Sequence, residues 1–287
     1  MTTKPKGSDK TDPALVNGTL VPTEEPASID FSADEGSGME GAGVEAFAIP
    51  FLGALQKLSP QCDEADAKYI AKAKAGQLVN TVTGQIWDGK TGVLFLPVAY
   101  QRRFLRWGPR GAANSGFKGE VMPETVLGLV ASGTVVELEG RLYYPLPDGV
   151  VNEKKCERLA EVRNHFGLLI DEATQAHYPV LLVLSSTQIK KSKLLMSLLS
   201  GVKVPAGGRM VTPPTWANKV RVTTVAEQND KGSWYGYRFA LEGLVTNADQ
   251  YKAAKAFHEA VLAGTGGTVN YADMDDKQPS EVPEGQF

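Results

Sequence analysis

Cysteine and histidine are scarce in this chain, and neither is grouped with partners. The 287 residues include two cysteines, Cys62 and Cys156, and three histidines, His165, His177 and His258. Two cysteines set no disulfide framework and fit a reducing compartment. No histidine stands at metal-ligand spacing from another histidine, a cysteine or an acid. The sequence therefore predicts no metal, no cofactor and no catalytic group.

Long apolar runs and secretion signals are also missing. The run "YPVLLVL" (178–184) is far shorter than the roughly 20 residues of a membrane span. The N-terminal segment has no apolar stretch typical of a signal peptide. Glycine-rich segments at 205–214 and 264–270 lack the Lys-Ser/Thr ending of a phosphate loop. These absences predict a cytoplasmic binding protein rather than an enzyme.

Charge is distributed unevenly along the chain. The net charge is −3, but residues 1–45 contain nine acids and three lysines, and residues 266–287 contain five acids and one lysine. The middle, residues 46–265, therefore has a net charge of +7. A basic body favours a polyanionic partner. Acidic termini that only aid solubility are the alternative interpretation.

The composition predicts three regions. Residues 1–45 are rich in Gly, Pro, Ser, Thr and acids, and are expected to be a disordered acidic segment. Residues 46–265 are expected to form a nucleic-acid-binding core domain. Residues 266–287 are expected to form a flexible acidic tail.

Strand patterns dominate the predicted core. Residues 93–107 form one long extended run, and several shorter strands follow. Asn247 and Gly264 are expected to begin and end the clearest helix. The predicted helices are 50–59, 63–75, 186–201 and 247–264. The expected fold is α+β, with a mainly antiparallel sheet or a partly open OB-like barrel and a few packed helices.

The segment "VAYQRRFLRWGPRG" (98–111) combines aromatic and cationic side chains. Because strand side chains alternate, one face would carry Tyr100, Arg102, Phe104 and Arg106 at roughly 7 Å spacing. Aromatic rings can stack on unpaired bases while arginines neutralise the adjacent phosphates. A duplex hides its base faces, so this pattern favours a single strand. The alternative is a core strand whose arginines form a solvated rim.

Other side chains extend the predicted nucleic-acid surface. Lys190 and Lys193 lie one helical turn apart, with Lys191 turned aside. The alternative interpretations are a solvated helix face for these lysines and a core strand for the segment that contains Trp234. The further predicted contacts are Arg103, Trp107, Arg110, Lys118, Trp234, Tyr235 and Arg238.

The C-terminal segment adds a separate indication. It combines scattered acids with a terminal phenylalanine, which resembles the tails of bacterial and phage single-stranded DNA-binding proteins. That resemblance implies that Asp275, Asp276 and Phe287 bind a replication or recombination partner. It also implies that the acids compete with DNA for the basic surface.

Four blocks of sequence resemble a known group of proteins. In chain order, "IPFLGALQKLSPQ", "LPVAYQRRFLRW", "LSSTQIKKSK" and "NDKGSW" resemble tailed-phage proteins described as single-stranded DNA-binding or of unknown function. The resemblance covers most of residues 49–245. It implies a phage origin, expression in the cytoplasm of the infected host, and a role in genome replication or recombination.

The sequence as a whole predicts a sequence-tolerant, non-enzymatic single-stranded DNA-binding protein. A strand-annealing recombination mediator is one alternative, and a phage structural or host-takeover protein that binds protein is another. An enzyme whose site is assembled from distant residues is a third. RNA in place of DNA and a homo-oligomeric state also stay open.

Overall fold

The structure is a computed structural model that describes residues 14–16, 19–21, 34, 37–42, 46–109, 111–112, 114–230 and 232–274. The chain divides into two compact units, residues 1–43 and 44–287. In the first unit, strand β1 (Ala14–Val16) pairs antiparallel with β2 (Thr19–Val21). The segment expected to be disordered therefore contains a β-hairpin.

The second unit contains three helices and thirteen strands within its described residues. The helices are α1 (Pro123–Ala131), α2 (Ile189–Gly201) and α3 (Ala248–Ala263). The strands are β3 (Leu52–Ala54), β4 (Leu78–Asn80), β5 (Ile86–Trp87), β6 (Val93–Gly108), β7 (Gly116–Val121), β8 (Val136–Leu138), β9 (Arg141–Tyr144), β10 (Glu157–Ile170), β11 (His177–Ser185), β12 (Val204–Ala206), β13 (Arg209–Val211), β14 (Asn218–Asn229) and β15 (Gly232–Leu244). Short 3₁₀ helices cover Pro60–Cys62, Ser186–Gln188, Thr215–Ala217 and Tyr271–Asp273.

An eight-stranded antiparallel sheet forms the centre of this unit. Its order is β15-β14-β6-β10-β9-β8, with β11 added to β10 and β7 added to β6. The long strands β6 and β10 pair along almost their whole length, with a bulge between Phe166 and Gly167. Each long strand has different neighbours at its two ends, and the twisted sheet curls into a half-barrel. The expected α+β fold with a mainly antiparallel, barrel-like sheet is confirmed.

Helices pack on both faces of the sheet. On one face, Leu94 and Leu96 pack with Phe257 of α3. On the other face, Phe95 packs with Leu195 of α2. A smaller cluster under α1 contains Phe104, Val126, Val135 and Leu159. The helices leave part of the second face open between α1 and α2, and this opening positions the candidate site.

Two expected helices are wrong. Residues 50–59 form β3 and turns, because Phe51 bridges to Leu181 and β3 pairs with β4. Residues 63–75 form turns rather than a helix. There the Asp63 and Asp66 carboxylates accept hydrogen bonds from backbone N–H groups two residues later, at 3.0 and 2.9 Å. Such local bonds compete with helix formation.

The helix α3 begins and ends as the sequence predicts, but the residues after it do not form the expected flexible tail. Asn247 Oδ1 accepts the N–H of Asp249 at 2.9 Å, and Gly264 ends the helix with φ 74°. Beyond the helix, Thr268 bridges to Ala48, and Tyr271 is buried. The segment expected to be a flexible tail from residue 266 therefore packs on the core as far as these residues.

Candidate nucleic-acid interface

Strands β6 and β10 carry an open strip of side chains on the face that α1 and α2 cover at either end. The α1 helix covers Phe104, and Ser192 of α2 contacts His165. Between these contacts, residues of the two strands pair directly, as in Arg163 opposite Arg102 and His165 opposite Tyr100. We call this surface the β6–β10 strip, and its members are Tyr100, Arg102, Glu161 and Arg163.

Two guanidinium groups of the strip share one carboxylate. Arg102 donates to both oxygens of Glu161, at 3.0 and 3.2 Å, and Arg163 pairs with the same carboxylate. Arg163 Nε is buried without a hydrogen-bond partner. The strip therefore has one positive charge in excess, which suits a bound anion.

Tyr100 is the exposed aromatic ring of the strip. It is 37% exposed, and its hydroxyl accepts a hydrogen bond from Arg163. Its ring lies 5.2 Å from the buried His165 ring, at 51°. Burial, together with the smaller effect of the Arg163 charge, lowers the pKa of His165 to about 4. The imidazole under Tyr100 is thus neutral near pH 7 and adds no charge to the strip.

The other two predicted arginines of β6 are each matched by one acid. Arg106 Nε lies 2.5 Å from Glu157 Oε2, and its guanidinium lies 4.1 Å from the centre of the Tyr144 ring. Arg103 points to the opposite face of the sheet, where its Nε lies 3.7 Å from Glu120. Neither arginine brings uncompensated charge to the strip.

The predicted roles of Phe104 and Trp107 need correction. Phe104 lies on the predicted face but is 5% exposed, because α1 closes over it. Its ring is unavailable for stacking on a base in this conformation. Trp107 is half-buried on the opposite face and packs against the core beside Phe117, with ring centres 5.5 Å apart. These two rings hold the fold together, whereas Tyr100 remains accessible.

Trp234 and Tyr235 meet at a second location, a cavity of about 180 Å³ that Lys68 also lines. The indole Nε1 of Trp234 donates to Glu227 at 2.9 Å, and Lys191 pairs with the same carboxylate at 2.7 Å. These bonds fix the Trp234 ring at the edge of the cavity. The cavity can receive a small planar group beside aromatic side chains and Lys68.

The remaining predicted cations are solvent-exposed. Lys190 and Lys193 lie on the outer face of α2, and Lys191 points away toward Glu227, as the helical spacing predicts. Lys118 and Arg238 are exposed on β7 and β15. Four predicted site residues lie outside the described residues: Arg110, Asp275, Asp276 and Phe287.

Sequence reasoning missed several residues of the site. Glu161 and Arg163 lie about sixty positions after Arg102 and reach it only through the pairing of β10 with β6. Glu227, which holds Trp234, lies opposite it in the β14–β15 hairpin. The hairpin turn at residues 229–232 was a signal that could have placed Glu227 beside Trp234.

Neither a metal-binding cluster nor a membrane-spanning helix occurs within the described residues. Within the described ranges, no group of three or more His, Cys, Asp or Glu side chains could hold a metal ion. In the same part of the chain, no helix is long and apolar enough to cross a membrane.

Fold and site together define an α+β half-barrel protein with an aromatic and cationic strip on one face of its sheet. The chain belongs to the Pam3 phage gp34-like protein family, whose sequence model matches residues 16–266. It is therefore a phage protein. No curated protein matches the chain, and no solved structure matches it.

Proposed function

We propose that this phage protein binds single-stranded DNA without sequence preference and without catalysis, in the cytoplasm of the infected host. The observation that carries the proposal is the strip itself, where the exposed Tyr100 ring lies beside two arginines that share one carboxylate. Family membership and the half-barrel fold are compatible with this role.

Binding at the strip would combine stacking and charge. A base would stack on Tyr100, which can contribute about 1–3 kcal/mol. A phosphate would take the place of Glu161 beside Arg102, whose side chain is 44% exposed. Exposed ion pairs contribute at most about 1 kcal/mol, so the loss of the partly exposed Arg102–Glu161 pair would cost little, while the less exposed Arg163 keeps its contact with Glu161. Affinity should fall with added salt, because each phosphate contact releases counterions.

Trp234, Tyr235, Lys190 and Lys193 would supply the second part of the binding surface. Trp234 is held in place by Glu227, so its ring would need little ordering on binding. The cavity beside it could accept an unstacked base. We further propose that replication or recombination proteins bind the acidic C-terminal segment, which contains Asp275 and Asp276.

A fluorescence-anisotropy titration with labelled oligo-dT at low salt tests the proposal. Wild-type protein should bind, and Tyr100→Ala should weaken binding by roughly 5- to 150-fold, the equivalent of one stacked base. Tyr100→Phe keeps the ring and should bind within a few-fold of wild type. Tyr251→Ala is the matched control, because Tyr251 on α3 is also 37% exposed.

The same titration can refute the proposal. Absence of oligo-dT binding by the wild type would exclude the proposed function. Equal affinities of Tyr100→Ala and Tyr251→Ala would exclude the strip as the binding site. Thermal unfolding of each variant shows whether a change in affinity reflects a loss of fold.

A further inference from the structure

A long acid-free segment lies in the middle of the chain. Residues 173–226 contain seven lysines and arginines and no Asp or Glu. Two of the seven pair with acids outside the segment, Lys191 with Glu227 and Arg221 with Glu172 and Glu242. Lys219 lies near the acids that hold Arg221. The other four have no acidic partner among the described residues: Lys190, Lys193, Lys203 and Arg209.

The strands β12 and β13 in this segment form a separate two-stranded ribbon. They pair only with each other within the described strands, and no ribbon residue belongs to a core cluster. The turn residues Gly207 and Gly208 have φ of 57° and 76°, the conformation of a tight type I′ hairpin. At its base, Lys203 Nζ donates to Thr212 Oγ1 at 2.5 Å. The ribbon is an arm attached to the end of α2.

The two faces of the ribbon differ in chemistry. Pro205 lies opposite Met210, so these two side chains share an apolar face. The other face pairs Ala206 with Arg209 and Val204 with Val211, so Arg209 is its only charged side chain. Met210 is 61% exposed, because nothing in the described structure covers it. A free ribbon of this size gains little stability of its own, so its exposed methionine and arginine need another explanation than packing.

A nucleic-acid duplex matches the dimensions and charge of this arm. The major groove is about 12 Å wide and admits a two-stranded β-ribbon. Apolar side chains such as Met210 can contact base edges, including the thymine methyl, while Arg209 reaches a phosphate. Lys203 and Arg209 have no acidic partner among the described residues, so their charge is available to a polyanion. A single strand offers no groove of this width for a two-stranded ribbon.

We propose that the β12–β13 ribbon binds duplex DNA and that the protein binds junctions between single-stranded and duplex DNA. The single-stranded half of this proposal rests on the proposed function. The exposed Lys190 and Lys193 on α2 lie in the same acid-free segment as the ribbon and would contact the backbone between the two sites.

Titrations with three labelled DNAs test the proposal: oligo-dT, a blunt duplex, and the same duplex with an oligo-dT tail. Wild-type protein should bind the tailed duplex about tenfold or more tighter than oligo-dT. The double variant Arg209→Ala, Met210→Ala should lose this gain and keep the oligo-dT affinity of wild type. The control Lys154→Ala, Val150→Ala removes an exposed cation and an exposed apolar side chain elsewhere and should keep the gain.

The outcomes separate this proposal from the proposed function. If wild-type protein binds tailed duplex no tighter than oligo-dT, or if the ribbon variant keeps the gain, the ribbon does not bind duplex. If the ribbon variant loses oligo-dT affinity equally, the ribbon belongs to the single-strand site and the junction proposal fails. If wild type binds the blunt duplex through the ribbon but binds no oligo-dT, the proposed function fails while the duplex arm stands.

Discussion

Replacing Phe104 with alanine should destabilise the fold and leave the β6–β10 strip in place. Phe104 is only 5% exposed, and its ring packs in a small cluster with Val126, Val135 and Leu159. Removing a buried phenylalanine ring costs about 3–5 kcal/mol. We expect the lower end, about 3 kcal/mol, because α1 lies at the surface and can partly close the gap. The lost contact of Arg102 with the ring face, 5.1 Å from its centre, is part of that cost.

Thermal and urea unfolding measure this loss. For a unit of this size, about 3 kcal/mol corresponds to a fall in Tm of roughly 6–12 °C. Phe47→Ala is the matched control, because Phe47 is 50% exposed and its loss should change the free energy of unfolding little. The reasoning is refuted if Phe104→Ala keeps wild-type stability while losing oligo-dT affinity, since the ring would then contact nucleic acid rather than the core.

Two further predictions concern the buried interior. His165 has a pKa of about 4 in the fold against 6.5 in an unfolded chain, so the unfolded state binds more protons between these values. The free energy of unfolding should therefore fall as pH drops from 6.5 to 4, by up to about 3 kcal/mol. In urea unfolding across this pH range, His165→Gln should make the free energy of unfolding depend less on pH. The same pH dependence in the variant and the wild type would contradict the low pKa of His165. Gly167→Ala would drive its new methyl group into the Phe95 ring and the Leu96 carbonyl, and should lower Tm sharply. Gly128→Ala on α1 has nothing within 4 Å and should raise stability by up to about 1 kcal/mol. Similar Tm values for the two glycine variants would show that the bulge can rearrange.

Local signals predicted those elements whose boundaries depend on nearby residues. The cap at Asn247 and the left-handed Gly264 define α3 from sequence, because both act within one turn of the helix. The strand expected at 93–107 is observed as Val93–Gly108 for the same reason, since its apolar pattern is continuous. The helix expected at 50–59 failed because Phe51 pairs with Leu181, some 130 residues away, and no local pattern encodes that bridge.

In the candidate site, too, the sequence predicted the features set by local residues and missed those set by distant ones. Alternation along β6 correctly placed Tyr100 and Arg102 on one face. It could not show that α1 covers Phe104, because which residues of that face are buried depends on where a separate helix packs. It also could not show that Glu161 holds Arg102, because the carboxylate arrives from β10.

The ion pairs of the strip explain why a surface that binds a polyanion would contain an acid. A row of unpaired arginines on one sheet face would repel one another and weaken the strand pairing that positions them. Glu161 offsets that repulsion between Arg102 and Arg163, which lie directly opposite each other on paired strands. In the proposed function a phosphate would replace Glu161 at Arg102, and the loss of this partly exposed ion pair would cost little. Charge that stabilises the empty sheet is thus compatible with charge that binds a polyanion where arginines outnumber acids, as in the strip but not at Arg103 or Arg106.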